Sequence, residues 1–166
     1  MLLISLHPRH AENIFAHRKT IELRKTFPNR LAKLCKSYPA IKPGDYEEKI
    51  FERPQKCFIY ETLPVGSVTG YFIFKEIVPK LAWGWVNHKD ELCLSESEIR
   101  SYLSEKVGYG IKIFETFVFK TPVPLQDLKS RDIKPPQGYL YLNASDTAWM
   151  TQKPSWGWNE YKDELT

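Results

Sequence analysis

The sequence has few cysteines and no long apolar run, and both absences restrict the class of protein. Its three cysteines, Cys35, Cys57 and Cys93, are widely spaced, and their odd number argues against a disulfide framework. Reduced thiols in the cytoplasm are therefore expected. The first residues lack the basic region and apolar stretch of a signal peptide, and no segment approaches the length of a membrane span. We expect a cytoplasmic protein with no membrane partner.

The sequence also lacks the patterns that mark common cofactor sites. No glycine-rich phosphate loop follows any strand-like segment, which argues against the usual dinucleotide and nucleoside-triphosphate folds. His7 and His10 are spaced for one face of a helix, but no third ligand accompanies them, so no metal or other cofactor is expected. The chain order alone defines no Ser-His-Asp or Cys-His arrangement.

The composition is that of a globular domain with a mildly basic surface. Hydrophobic residues make up 42% of the chain and charged residues 27%, which suits one domain with a real core. The formal charge of +4 permits nucleic-acid binding without requiring it. Aromatic residues are abundant at 14%, and they include five tryptophans, so some rings are expected to serve more than core packing.

Apolar periodicity divides the chain into short strands and a few helices. Residues 2–6 form an apolar run typical of a buried strand, and the spacing over 8–18 predicts a helix that begins at Pro8. Residues 20–26 alternate as a strand, residues 39–55 are punctuated by Pro and Gly and predict a long loop, and Ser95 with Glu98 predicts a capped helix. Further strands are expected over 56–62, 67–78 and 109–119. This order favours a small mixed or antiparallel barrel over a doubly wound sheet.

Three charged residues stand where the first helix gives way to the second strand. Glu22 and Arg24 share one face of that strand, and Lys19 lies in the preceding turn. A cluster of this kind inside a cleft suits a phosphate or the edge of a nucleobase, because Arg offers a planar fork of donors and Glu accepts from an amine. The residues alone favour the alternative of an exposed ion pair on an edge strand, since most charge clusters lie on the surface.

The stretch "HRKTIELR", residues 17–24, resembles the motif G-x-K-x-x-E-x-R of the ASCH domain, a relative of the PUA RNA-binding fold. Lys19, Glu22 and Arg24 match the motif, and His17 stands in place of its leading glycine. We expect a slightly different helix end, because glycine permits φ > 0 at that position. The order of segments from residue 2 to residue 142 is similar to that of the family as well.

The resemblance implies an α+β, mainly β fold: a PUA-like small mixed β-barrel of about five or six strands with two or three flanking helices. Residues 1–142 would form the ASCH domain, and the tryptophan-rich residues 143–166 would form a C-terminal extension that packs on it. The resemblance also implies a ligand cleft at the helix–strand junction. The expected lining residues are Lys19, Glu22, Arg24, Ser5, His7, Tyr60, Glu61 and Tyr109. Trp83 and Trp85 are candidates either for stacking on unpaired bases or for core packing.

The function that this resemblance implies is binding of RNA or another nucleic acid, with a nucleotide or modified nucleoside as a smaller ligand. One alternative is a hydrolase: a ribonuclease that uses Lys19, Glu22 and Arg24, or an N4-acylcytidine amidohydrolase-like enzyme. The deacylases of this family carry a nucleophilic Thr three residues after the Lys, and that position is Glu22 here, which argues against deacylation. A protein-interaction adaptor with the tryptophan-rich extension as its contact surface is the third possibility.

Overall fold

The computed structural model describes residues 1–36 and 46–164. Its strands are β1 Leu2–Leu6, β2 Ile21–Arg24, β3 Lys49–Glu61, β4 Ser67–Lys80, β5 Gly108–Pro124, β6 Tyr139–Tyr141 and β7 Ser155–Gly157. Its helices are α1 Pro8–Phe15, α2 Ala82–Val86, α3 Lys89–Leu92, α4 Glu96–Leu103, α5 Leu125–Ser130, α6 Ala144–Thr151 and α7 Trp158–Glu164. A 3₁₀ turn covers Asn29–Leu34. No helix within the described ranges is both long enough and apolar enough to cross a membrane.

The predicted α+β class with a mixed sheet is confirmed. The strands follow the order β2-β5-β4-β3-β1-β6, and β7 pairs with β5. The β1–β3 pair is parallel, whereas β1–β6, β2–β5 and β5–β7 are antiparallel. The described residues contain more helices than the two or three expected, because α2, α3 and α5 have only five, four and six residues. Helices this short leave too few apolar repeats in the sequence for a period to be recognised.

The predicted loop over residues 39–55 is wrong in its second half. Residues 39–45 lie outside the described residues, but strand β3 begins at Lys49 and continues through Pro54. Lys49 and Phe51 are both buried, and the exposed Ile50 lies between them, which is the alternation of a strand. Proline lacks the backbone donor of a sheet ladder, so Pro54 misleadingly indicated a loop.

The chain divides into two compact units. Unit one consists of Met1–His17, Lys56–Ile73 and the residues from Glu115 onward. In it β1 pairs with β3 from Leu2↔Cys57 to Leu6↔Glu61. Its core cluster is Leu3, Phe58, Tyr60, Val68, Tyr71, Phe119, Val123, Leu128, Ile133 and Met150. Residues of the predicted extension take part in this unit, since Met150 lies in its core and β7 pairs with β5 at Val118↔Trp156.

Unit two consists of Arg18–Gln55 and Phe74–Phe114. Strand β2 pairs with β5 from Ile21↔Lys112 to Arg24↔Tyr109. The core cluster against these strands is Ile21, Leu23, Ala82, Trp85, Leu92, Ile99 and Leu103. The predicted cap of α4 is confirmed, because the Ser95 hydroxyl accepts from the Glu98 N–H and the Glu98 carboxylate accepts from the Ser95 N–H.

Candidate functional site

The first motif position lies just past the end of helix α1. The helix ends at Phe15, before the predicted residue 18; the Ala16 N–H donates to Glu12 O at 2.9 Å, and the His17 N–H donates to Ile14 O at 3.0 Å. His17 then takes φ 55°, in the left-handed region. This is the conformation for which glycine is suited, and it costs other L-residues about 1–2 kcal/mol. The positive φ that the motif glycine permits is thus present although the residue is histidine.

Side-chain contacts of His17 within unit one account for its unusual backbone. Its Nε2 lies 2.7 Å from Thr116 Oγ1, and its ring stacks on the Trp158 ring with centroids 4.1 Å apart. Burial lowers the pKa of His17 below its usual value, so the neutral ring is favoured. Thr116 is 99 residues from His17 in the sequence and Trp158 is still farther, so no local pattern could have indicated these partners.

The three matched charges are buried, not exposed. Lys19, Glu22 and Arg24 are 2%, 4% and 9% exposed. The alternative of an exposed ion pair on an edge strand is therefore wrong. The charges are not exposed because all four residues of β2 are buried, which means that this strand is covered on both faces. Short strands with alternating charge usually have one solvated face, which is why the sequence favoured exposure.

One carboxylate joins the three side chains into a network. Glu22 Oε2 lies 3.4 Å from Lys19 Nζ, and Glu22 Oε1 lies 3.4 Å from Arg24 Nη1. Lys19 Nζ also donates to Leu92 O at 2.8 Å, which ties the turn before β2 to the end of α3. The cluster therefore holds two cations and one anion away from bulk water, where charges interact more strongly than on the surface.

Two tyrosines accompany Arg24 in unit two. Tyr109 is its direct partner in the β2–β5 register, and the Tyr109 ring lies edge-on to Phe27 with centroids 5.8 Å apart. Tyr102 on α4 carries Lys25 Nζ over its ring at 4.6 Å. Burial is the main cause that raises the Tyr102 pKa, while nearby Arg24 acts to lower it. The sequence pattern gave no signal for the position of Tyr102 beside the motif.

The other expected site residues lie in unit one. Ser5 is opposite Tyr60 in the β1–β3 register, and Glu61 follows at the end of β3. His7 caps α1, because its Nδ1 accepts from Arg9 N at 3.4 Å. Burial is the first cause that raises the Glu61 pKa, and the charge of Glu12 also raises it. That these expected site residues of unit one share a cleft with Lys19, Glu22 and Arg24 stays a prediction.

The two neighbouring tryptophans on α2 have different environments. Trp85 is 1% exposed and donates its Nε1–H to Gly108 O at 3.1 Å, so core packing is its role. Trp83, two residues earlier, is 68% exposed. Among the described residues no group of three His, Cys, Asp or Glu side chains is arranged to hold a metal ion.

Comparisons with known proteins agree with this geometry. No family model matches the chain. An ASCH domain-containing ribonuclease of Zymomonas mobilis is 27% identical over 153 residues, which cover 87% of this chain and 86% of the relative. The crystal structure of ASCH from Z. mobilis matches with a TM-score of 0.70 and 25% identity, over 92% of this chain and 95% of that one. Over most of its length the chain is therefore similar to an ASCH domain protein. A crystal structure of a point mutant of the same ASCH protein matches with a TM-score of 0.70 and 25% identity, over 90% of this chain and 93% of that one.

This chain departs from the ASCH motif at His17 and from the deacylase pattern at Glu22. The first departure preserves the backbone conformation, as its φ of 55° shows. The second is chemical, because a carboxylate shared between Lys19 and Arg24 replaces a hydroxyl nucleophile. Acyl transfer through a side-chain hydroxyl needs that hydroxyl next to a base. The geometry of this site therefore suits charge recognition better than deacylation.

Proposed function

We propose that this protein is a member of the ASCH domain family and binds single-stranded RNA in the cytoplasm through the motif strand β2. The observation that carries the proposal is the buried cluster of two cations and one carboxylate, which leaves an excess positive charge at the motif. RNA as the ligand class is supported by the similarity to a protein named as a ribonuclease. The three cysteines are free thiols, as a reducing compartment requires.

Each element of the cluster has a part in this proposal. Arg24 supplies a planar guanidinium to a phosphate or a base edge, and Lys19 and Lys25 supply point charges. Glu22 holds both cations in place and offers an acceptor for an exocyclic amine. Tyr102 and Tyr109 supply rings on which unpaired bases stack, a contact that tolerates many sequences. A single nucleotide or a modified nucleoside would use the same groups.

Replacing Arg24 by lysine is expected to weaken RNA binding about tenfold, because the charge stays and the planar fork is lost. The measurement is fluorescence anisotropy of a labelled single-stranded RNA at two salt concentrations. The matched control is Arg100→Lys, since Arg100 lies on an exposed face of α4 and pairs with Glu96 at 2.7 Å. Wild type and the control should bind equally, and both should weaken as salt rises.

Two results would contradict the proposal. A folded wild-type protein that binds no single-stranded RNA at the lower salt concentration excludes RNA binding itself. Equal affinities of wild type, Arg24→Lys and Arg100→Lys would show that RNA binds somewhere else, without the motif. Circular dichroism of each variant establishes that it is folded before its affinity is compared.

RNA cleavage is a second candidate function, and the observation that favours it is the similarity to a ribonuclease. In this mechanism Glu22 acts as the general acid or base, and Lys19 and Arg24 stabilise the negative charge that develops on the phosphate. A denaturing gel of the RNA recovered from the titration tests it. Fragments made by wild type but not by Arg24→Lys support cleavage at this cluster, and intact RNA after prolonged incubation contradicts it.

A further inference from the structure

A pocket in unit two is lined by an exposed tryptophan and a lysine. The pocket has a volume of about 490 Å³ and is lined by residues of β4, of α2 and of the following turn. The lining residues used below are Lys80, Trp83, Asn87 and His88. None of the motif charges Lys19, Glu22 and Arg24 belongs to its lining. It is therefore a different site from the β2 cluster.

Helix α2 places one tryptophan in the core and leaves the other exposed. Trp85 anchors the helix, whereas the 68% exposed Trp83 contributes little to packing. Trp83 and Asn87 are four residues apart, so they lie on the same side of this helical segment. Exposed tryptophan rings in pockets commonly serve ligand contact, because their large apolar faces gain from being covered.

A chain of polar contacts holds the Lys80 ammonium at the edge of this pocket. Lys80 Nζ lies 3.0 Å from His88 Nε2, and His88 Nδ1 lies 2.9 Å from Glu91 Oε1. In this arrangement the His88 Nδ1–H donates to the Glu91 carboxylate, and Nε2 accepts from the Lys80 ammonium. Glu91 thereby orients the ring, and the ring in turn positions the lysine.

We propose that this pocket binds one unpaired nucleotide of the RNA. The base stacks on Trp83, the Asn87 amide hydrogen-bonds to the edge of the base, and Lys80 contacts the adjacent phosphate. An aromatic face, an amide with both donor and acceptor, and a cation are the three features that single-strand binders combine. The inference rests on the proposed RNA binding and adds a base subsite to it.

The test compares Trp83→Ala with Phe114→Ala. Phe114 is 74% exposed and lines neither this pocket nor its neighbour around Glu91 and Lys112, so it controls for loss of an exposed ring. Trp83→Ala is expected to weaken binding of a labelled single-stranded RNA about tenfold, as loss of one base–aromatic stack does. Phe114→Ala is expected to bind like wild type. On an RNA duplex of the same length, whose bases are paired, all three proteins should bind equally.

The outcomes separate the subsite from RNA binding in general. If wild type binds RNA and Trp83→Ala binds equally well, the subsite is overturned and RNA binding through β2 stands. If Trp83→Ala weakens single-stranded and duplex RNA by the same factor, stacking on an unpaired base is overturned. If wild type binds no RNA, both proposals are overturned. A selective loss for single-stranded RNA supports the subsite.

Discussion

Replacing Glu22 by glutamine is expected to lower the free energy of unfolding by about 3–5 kcal/mol, because two buried cations then lose their shared carboxylate. Lys19 and Arg24 each lie 3.4 Å from a Glu22 oxygen, and both are almost completely buried. Glutamine keeps the size of the side chain, so the effect isolates charge from packing. The measurement is urea unfolding followed by circular dichroism.

The matched control for Glu22→Gln is Glu96→Gln. Glu96 pairs with Arg100 at 2.7 Å, but both side chains are more than half exposed. Exposed pairs contribute only about 0–1 kcal/mol, so this variant should unfold at nearly the wild-type urea concentration. If both variants lost equally little unfolding free energy, the result would contradict a buried cluster and would support solvent-exposed motif charges.

Truncating Trp85 to alanine is expected to cost about 3–5 kcal/mol, since the change removes a large buried side chain and leaves a cavity. Trp85 packs in the cluster of Ile21, Leu23 and Leu92, directly behind strand β2. It also donates its Nε1–H to Gly108 O at 3.1 Å, and truncation leaves that buried carbonyl without this donor. Thermal or urea unfolding provides the measurement.

Trp83→Ala is the control for Trp85→Ala within the same helix. Because Trp83 is 68% exposed, its loss should change the free energy of unfolding by no more than about 0.5 kcal/mol. Similar losses of unfolding free energy in the two variants would contradict the fold, in which Trp85 is buried and Trp83 is exposed. The small expected effect at Trp83 also keeps that variant suitable for RNA binding.

Local patterns in the sequence were sufficient for much of the fold. The apolar run of residues 2–6, the alternation around Glu22 and the cap formed by Ser95 and Glu98 each depend on neighbours within a few residues. The motif residues Lys19, Glu22 and Arg24 indicated the family for the same reason, since their spacing is visible in the chain. Pro54 is the counterexample, because strand β3 continues through it although proline locally favours a loop.

Features of the site that depend on distant partners could not be predicted. The burial of Glu22 follows from the covering of β2 on both faces, and the stacking of His17 follows from Trp158, far along the chain. Trp83 and Trp85 flank the same residue, Gly84, and have opposite exposure, which only the packing of α2 decides. A helix of only five residues is too short for apolar periodicity to show which of its side chains face the core.

The most direct test of the motif's role separates stability from RNA binding. The variant replaces the whole cluster by apolar residues of similar length: Lys19→Met, Glu22→Leu and Arg24→Met together. Buried ion clusters replaced in this way are often neutral or stabilising, so a folded protein within about 2 kcal/mol of wild type is expected. The account predicts that this folded variant loses binding of single-stranded RNA in the anisotropy titration. Wild-type RNA affinity in the folded triple variant would contradict it and would make the cluster purely structural.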